Sequence, residues 1–192
     1  MVQIDKIYTR TGDSGLTRLA TGEPVEKWSV RVEAYGAVDE TNSALGAARL
    51  HTRDDVVLDP ILARLQNELF DLGADLATPE RGEPLKFEAL RIQPGQVERL
   101  EREIDLLNLD LSPLTSFVLP GGAPAAALLH VARATSRRAE RLIARLSHMP
   151  GESVSPAALH YANRLSDLLF TAARWANDKG AADILWAPGA TR

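Results

Sequence analysis

The stretch from Phe117 to Arg145, FVLPGGAPAAALLHVARATSRRAERLIAR, decides the fold. A Gly-Gly break at 121–122 releases a long run of helix formers with apolar residues on one side and arginines on another. In a helix, Arg133, Arg137 and Arg141 each advance round the axis by only about 40°, so they share a face, and Glu140 falls in the same sector. Like charges at i and i+4 repel by about 0.2–0.5 kcal/mol. Three cations with one carboxylate therefore suit an anion such as a polyphosphate. Read alone, the row also fits a solvated, salt-bridged surface, the commoner case.

Helical periodicity extends outward from this segment. Between 60 and 77, Ile61, Leu62, Leu65, Leu69, Leu72 and Leu76 recur at three- and four-residue intervals and make one apolar face. Residues 94–107 repeat the pattern with Val97, Leu100, Ile104 and Leu107, behind a proline suited to a first turn. Ser155-Pro156 reads as N-cap and N1 of an amphipathic run to about 178, stopped by Lys179-Gly180. With helices at about 31–51 and 124–147, the spacing predicts five. Strand signals are thin, since aromatics are only 5% and no alternating run exceeds a few residues. The expected fold is all-α, a five-helix bundle with ferritin-like up-down packing over 31–180. A non-helical N-terminal loop over 1–30 and a tail over 181–192 complete a single domain of 1–192.

Composition narrows the function. The chain has 192 residues, 45% hydrophobic and 25% charged, enough to bury one core. It lacks cysteine, which excludes disulfides, thiolate zinc sites and cysteine nucleophiles and fits a cytoplasmic location. The first ten residues lack the apolar run of a secretion signal, and no stretch approaches the ~18 apolar residues of a membrane span. A formal charge of −4 argues against nucleic-acid binding.

Three further segments hold polar groups of chemical interest. Residues 9–19, TRTGDSGLTRL, bring Thr11, Gly12, Asp13, Ser14, Gly15, Thr17 and Arg18 together. Amides at flexible glycines can wrap phosphate oxygens, hydroxyls add donors, and Asp13 can hold or orient a metal. An ordinary Gly-rich turn is the plainer reading, and the segment is neither a GxxxxGK[ST] loop nor a GxGxxG fingerprint. Residues 32–46, VEAYGAVDETNSALG, and 161–170, YANRLSDLLF, embed polar side chains in apolar stripes. Asn163, Asp167 and Phe170 share one face, and Asn163 can donate and accept at once, as nucleoside recognition or a helix-interior hydrogen bond would require. His130, His148 and His160 have no partner at metal-ligand spacing and read as bundle or surface residues. Trp175 and Trp186 read as packing groups, with the tail placed to close over a site.

Taken in order, TRTGDxGxT, YGxVDExNS, FVLPGG followed by RxxxRRAER, YxNRLSD and the tail ILWAPG resemble the PduO-type ATP:cob(I)alamin adenosyltransferases, over about residues 6–188. The resemblance implies attack of cobalt(I) on C5′ of ATP, releasing triphosphate and giving adenosylcobalamin, with Mg²⁺ beside the nucleotide. It assigns Arg137, Glu140, Arg141, Lys27 and Asn163, with the residues of the 11–18 loop, to the nucleotide. Asp39 is implied to pair with Arg133. Phe117, otherwise an aromatic packed on the bundle end, is implied to press on the lower face of cobalamin and displace its axial ligand. Family members are typically homotrimers with intersubunit sites, and a cobalamin reductase and a B12-dependent mutase are implied partners. Glu140 is left with three roles: a water-mediated Mg²⁺ ligand, a nucleotide hydrogen bond, or orientation of Arg137. Thr41 departs from the family's leucine and is expected to loosen local packing, and Trp28 departs from an acidic residue after Lys27. A corrinoid carrier and a non-catalytic helical interaction protein stand as the alternative functions.

Overall fold

The computed structural model describes residues 7–82 and 84–192; residues 1–6 of the expected N-terminal loop, and Glu83, lie outside the described residues. The five expected helices form as α1 (Val30–Arg49), α2 (Leu58–Leu76), α3 (Pro94–Asn108), α4 (Pro124–Ser147) and α5 (Pro156–Trp175). The start signals act as read: the Ser155 hydroxyl accepts the Ala158 N–H at 3.1 Å, with Pro156 next to it. At α3, the Gln93 N–H donates to Gln96 Oε1 at 2.8 Å. The end of α5 comes at Trp175, a few residues before the expected 178, because Asp178, Lys179 and Gly180 take φ of 53°, 49° and 82° and reverse the chain.

One difference from expectation lies in the N-terminal segment. Leu16–Arg18 (β1) and Pro24–Glu26 (β2) pair antiparallel, with Leu16 opposite Glu26. Strands of three residues are too short for alternation to register in a sequence. Thr17 and Arg18 therefore lie in a strand rather than in an open loop.

Side-chain pairs give the helix directions. Asn42–Gln66 and Arg49–Asp59 make α1 and α2 antiparallel, and Glu140–Asn163 with His130–Phe170 does the same for α4 and α5. Tyr161–Glu68 and Trp175–Asp55 run α5 antiparallel to α2. The four helices thus form an up-down bundle around Leu45, Leu62, Leu65, Leu129, Ile143 and Leu169, all buried. Each such side chain contributes about 1.5–3 kcal/mol on removal from water. Small residues on both α1 (Ala34, Ala37, Ala48) and α4 (Ala126, Ala132, Ala139) let these two helices pack over a long seam. Helix α3 lies outside, against α5, with Leu100 and Leu107 buried and Glu103 paired to Arg64 of α2. Thr41 is fully buried, and its hydroxyl donates to the Ala37 carbonyl at 2.8 Å, so the departure leaves no unsatisfied polar group.

This arrangement separates two ends. The start of α1, the end of α2, the end of α4 and the start of α5 share one end, where the β-hairpin sits. The 109–123 loop and the chain after α5 occupy the other, roughly 36 Å away by the length of α4 at about 1.5 Å per residue.

Candidate active site

Helix α4 places Arg133, Arg137 and Arg141 in the expected row. Arg133 is half-buried, and its Nε donates to His130 Nδ1 at 3.4 Å; burial, and then the charge of Arg137, holds its guanidinium below the usual arginine range. Arg137 is 50% exposed, and its nearest carboxylate oxygen, on Glu140, is 3.9 Å away. Arg141 is exposed and makes no ion pair among the described residues. Arg138, one position off the row, instead pairs with Glu40 of α1.

Glu140 and Asn163 meet beside this row. Asn163 Nδ2 donates to Glu140 Oε1 at 2.8 Å, while its Oδ1 accepts from Arg164 Nη1 at 2.5 Å. The amide thus bridges α4 and α5 and holds Glu140, whose other oxygen lies 3.9 Å from Arg137 Nη1.

Asp39 lies elsewhere. It is exposed on α1, in a groove toward α2 with Tyr35, Asn42, Phe70 and Gly73. The expected Asp39–Arg133 ion pair is not made within the chain, because Arg133 turns toward α5 while Asp39 turns toward α2. In the same groove Asn42 Oδ1 is buried without a hydrogen-bond partner.

The Gly-rich segment leads into β1 at the open end of the hairpin, where the Lys27 N–H donates to the Gly15 carbonyl at 2.9 Å. Lys27 folds over it so closely that a Cβ at Gly12 would lie 2.8 Å from Nζ, which seats Lys27 with the loop. Gly15 has φ of 84°, and a Cβ there would come within 3.1 Å of the Trp28 ring, so Trp28 covers the turn from outside. Thr11, Asp13, Ser14 and Arg18 are exposed, with Thr9 and Thr11 hydroxyls 2.8 Å apart and Arg18 Nη1 donating to the Gly22 carbonyl at 2.8 Å. An ion-pair chain anchors the hairpin: Glu23 to Arg81 at 3.1 Å, Arg81 to Glu152 at 3.0 Å, and Glu152 to the buried Arg31 at 2.6 Å. Among the described residues no hydrogen bond or ion pair joins residues 9–18 to the arginine row.

At the other end, Phe117 is 75% exposed and opens a cavity of about 770 Å³ lined by Leu114, Thr115, Phe117, Arg133, Phe170 and Trp186, among others. Arg133 thus ends the cationic row inside this apolar bowl. The tail forms one wall: Trp186 N–H donates to the Phe117 carbonyl at 2.7 Å, Leu119 N–H to the Ile184 carbonyl at 2.8 Å, and the two rings stand 6.0 Å apart, tilted by 51°. Trp186, read as a packing group, is a cavity wall. His130 is buried against Phe170 at 6.2 Å, and burial followed by the charge of Arg133 pushes its pKa down, so it stays neutral and accepts. Its i−3 spacing to Arg133 was the available signal; spacing alone does not disclose burial.

Residues 7–176 match the family model described as Cobalamin adenosyltransferase. The chain is 49% identical to a corrinoid adenosyltransferase of Mycobacterium tuberculosis (strain ATCC 25618 / H37Rv), over 100% of this chain and 97% of that one. It is 40% identical to one of Bacillus subtilis (strain 168), over 93% and 91%. It is similar to the structure of a variant PduO-type ATP:corrinoid adenosyltransferase from Lactobacillus reuteri complexed with cobalamin and ATP, with TM-score 0.83 and 39% identity over 95% of this chain and 97% of that one. A second variant of that enzyme, complexed with ATP, gives TM-score 0.81 at 40% identity over 94% and 100%.

Proposed function

The chain belongs to the cobalamin adenosyltransferase family, and we propose how its residues divide the work of an ATP:corrinoid adenosyltransferase. The reaction moves the 5′-deoxyadenosyl group of ATP to cob(I)alamin. Cobalt(I) supplies the electron pair of the new Co–C5′ bond, the C5′–O bond breaks, and its electrons depart with triphosphate. No protein nucleophile is needed. The chain has to align C5′ with cobalt and stabilise charge on the leaving group.

The observation that carries this assignment is the row of three arginines, met among the described residues by one carboxylate at 3.9 Å, that runs into an apolar cavity. Arg137 and Arg141 grip the triphosphate, with Glu140 and Asn163 fixing the inner guanidinium and Arg133 at the junction with the corrinoid. Magnesium on a triphosphate needs only one or two protein carboxylates, which Glu140 and Asp13 can supply, and it would neutralise further leaving-group charge. Phe117, projecting from its loop, presses on the lower face of the corrinoid and excludes an axial ligand. An exposed phenyl ring offers cobalt no donor atom, and loss of axial donation makes the lower oxidation state easier to reach.

The site is completed between subunits of a homotrimer. The loop of Thr11, Gly12, Asp13, Ser14, Gly15, Thr17, Arg18 and Lys27 sits at the hairpin end, whereas the row from Arg133 to Arg141 descends toward the opposite end. A second copy brings loop and row together, and it also allows exposed Asp39 to meet Arg133 of its neighbour. Among the described residues no helix is long and apolar enough to cross a membrane. We place the reaction in the cytoplasm, with a cobalamin reductase supplying cobalt(I) and a B12-dependent mutase using the product.

Anaerobic incubation with reduced cobalamin and ATP tests the assignment. The corrinoid spectrum converts to that of the alkylated form with one triphosphate released per turnover. Phe117→Ala lowers turnover by about 10²-fold while ATP affinity stays within about twofold. Equal loss of both, or of neither, removes the role of Phe117; absence of conversion by the unmodified protein removes the activity.

A further inference from the structure

The wall that carries Phe117 and Trp186 is built from segments outside the helices. Both are tied to one buried cluster at the end of α5. Arg174 donates Nε to Asp183 Oδ2 at 2.7 Å and Nη2 to the Ser112 carbonyl at 2.8 Å. Asn177 donates Nδ2 to Asp183 Oδ1 at 3.0 Å, and its Oδ1 accepts the Ala123 N–H at 3.1 Å. Arg174 therefore holds the beginning of the 112–123 loop and Asn177 holds its end. Asp183, shared by both, is the residue from which 184–186 runs out to pair with 117–119.

We propose that Arg174, Asn177 and Asp183 are positioning residues for the corrinoid-facing wall, a clamp that sets the Phe117–Trp186 pair without touching substrate. The proposal rests on the reading of Phe117 given above. Two glycines are shaped around this clamp. A Cβ at Gly122, whose φ is 93°, would lie 2.2 Å from Asn177 Oδ1. One at Gly180, whose φ is 82°, would lie 2.9 Å from Arg174 Nη2 and 3.3 Å from Asp183 Oδ2. Asp178 and Lys179 also adopt the left-handed conformation that residues with a Cβ seldom take, and this reversal brings Asp183 back onto Arg174. All three clamp side chains are at least nine-tenths buried, so the ion pair is insulated from water and its geometry is held by hydrogen bonds at both ends.

A purely structural role would make the cluster an anchor for the start of α4, which it holds through the Ala123 N–H. The two roles separate kinetically. Loss of such an anchor lowers the melting temperature and impairs both substrates together. Loss of wall positioning raises KM for the corrinoid, while ATP, held on the α4 row, is unaffected. Asp183→Asn keeps the shape of the side chain and removes its charge. Gly122→Ala evicts Asn177 without changing any charge. Both are expected to raise the corrinoid KM about tenfold with the ATP KM within about twofold. Deleting 184–192, which leaves the clamp and removes what it positions, reproduces the same split. Equal shifts for the two substrates, or none, overturn the proposal, and Gly122→Ala decides if Asp183→Asn does not fold. Trp186 emission provides a readout independent of catalysis. With Trp28 and Trp175 replaced by Phe, Gly122→Ala is expected to red-shift Trp186 emission and increase its quenching by acrylamide. An unchanged emission overturns the clamp even if the activity assay itself fails, whereas a shifted emission with no activity removes only the functional reading.

Discussion

Two populations of arginine share this bundle and behave oppositely. Arg31, Arg49, Arg91 and Arg174 each meet a carboxylate at 2.6 to 2.8 Å, across helices or between a helix and a loop. Arg133, Arg137 and Arg141 stand one turn apart on α4 and, among the described residues, meet no carboxylate closer than the 3.9 Å approach of Glu140 to Arg137. The first group spends its charge on the fold. In the second group the charges face one another and solvent, so their mutual repulsion is relieved only when an anion arrives. A cation that stabilises the protein and a cation that serves a ligand are thus distinguished by where the carboxylates are.

The comparison breaks most easily at its structural side. Arg31 is buried, with Glu152 and the carbonyls of Leu76 and Ser153 as partners. Arg31→Ala leaves Glu152 and both carbonyls short of a donor and is expected to cost about 3–5 kcal/mol of stability. Denaturant unfolding measures it, and a cost below about 1 kcal/mol would erase the distinction.

The ligand side is next in size. Arg137→Ala is expected to lower kcat/KM by about 10²–10³-fold, the usual cost of removing one charge-stabilising donor. Its thermal midpoint should stay within a few degrees of the parent or rise, because one repulsive neighbour is gone. A protein that loses stability but not turnover would place Arg137 with Arg31 instead.

The smallest effect is a pH dependence that sharpens the contrast. Burial pushes the Glu152 carboxyl up, but hydrogen bonds and charge from Arg31 and Arg81 outweigh it and hold the group below its usual value of 4.5. A carboxyl depressed on folding stabilises the native state above its unfolded pKa, and that contribution disappears as pH falls through the folded value. The acid limb of a stability–pH curve should therefore be shallower in Glu152→Gln than in the parent. Arg137→Ala should leave that limb nearly unchanged, since Arg137 is half exposed and its ion pair with Glu140 is long, at 3.9 Å. Identical acid limbs in parent and Glu152→Gln would mean that the Arg31–Glu152–Arg81 chain carries no net charge coupling.

Much of the fold was legible because helices announce themselves locally. Apolar residues at three- and four-residue spacing, Ser155-Pro156 and Pro94 located α2, α3 and α5, and the structure places them within a few residues of expectation. The β-hairpin was not legible, since three-residue strands carry too little pattern. The same limit applied to the site. Arg133, Arg137 and Arg141 could be put on one face by arithmetic, but His130 beneath Arg133 and Trp186 beside Phe117 emerged only from packing.

By itself the sequence determined which segments become helices, which side of α4 carries the cations, and the resemblance to adenosyltransferases that the family match bears out. Those properties depend on neighbours within a turn or a motif, where covalent geometry dictates the spacing. Tertiary structure alone decided which arginines find carboxylates, that the glycine-rich hairpin and the Phe117 cavity lie at opposite ends, and that Asp183 ties the tail to the loop. Arg31 and its partner Glu152 are 121 positions apart. No local pattern encodes such a meeting, because it depends on how the helices are arranged in space once their apolar faces have been buried together.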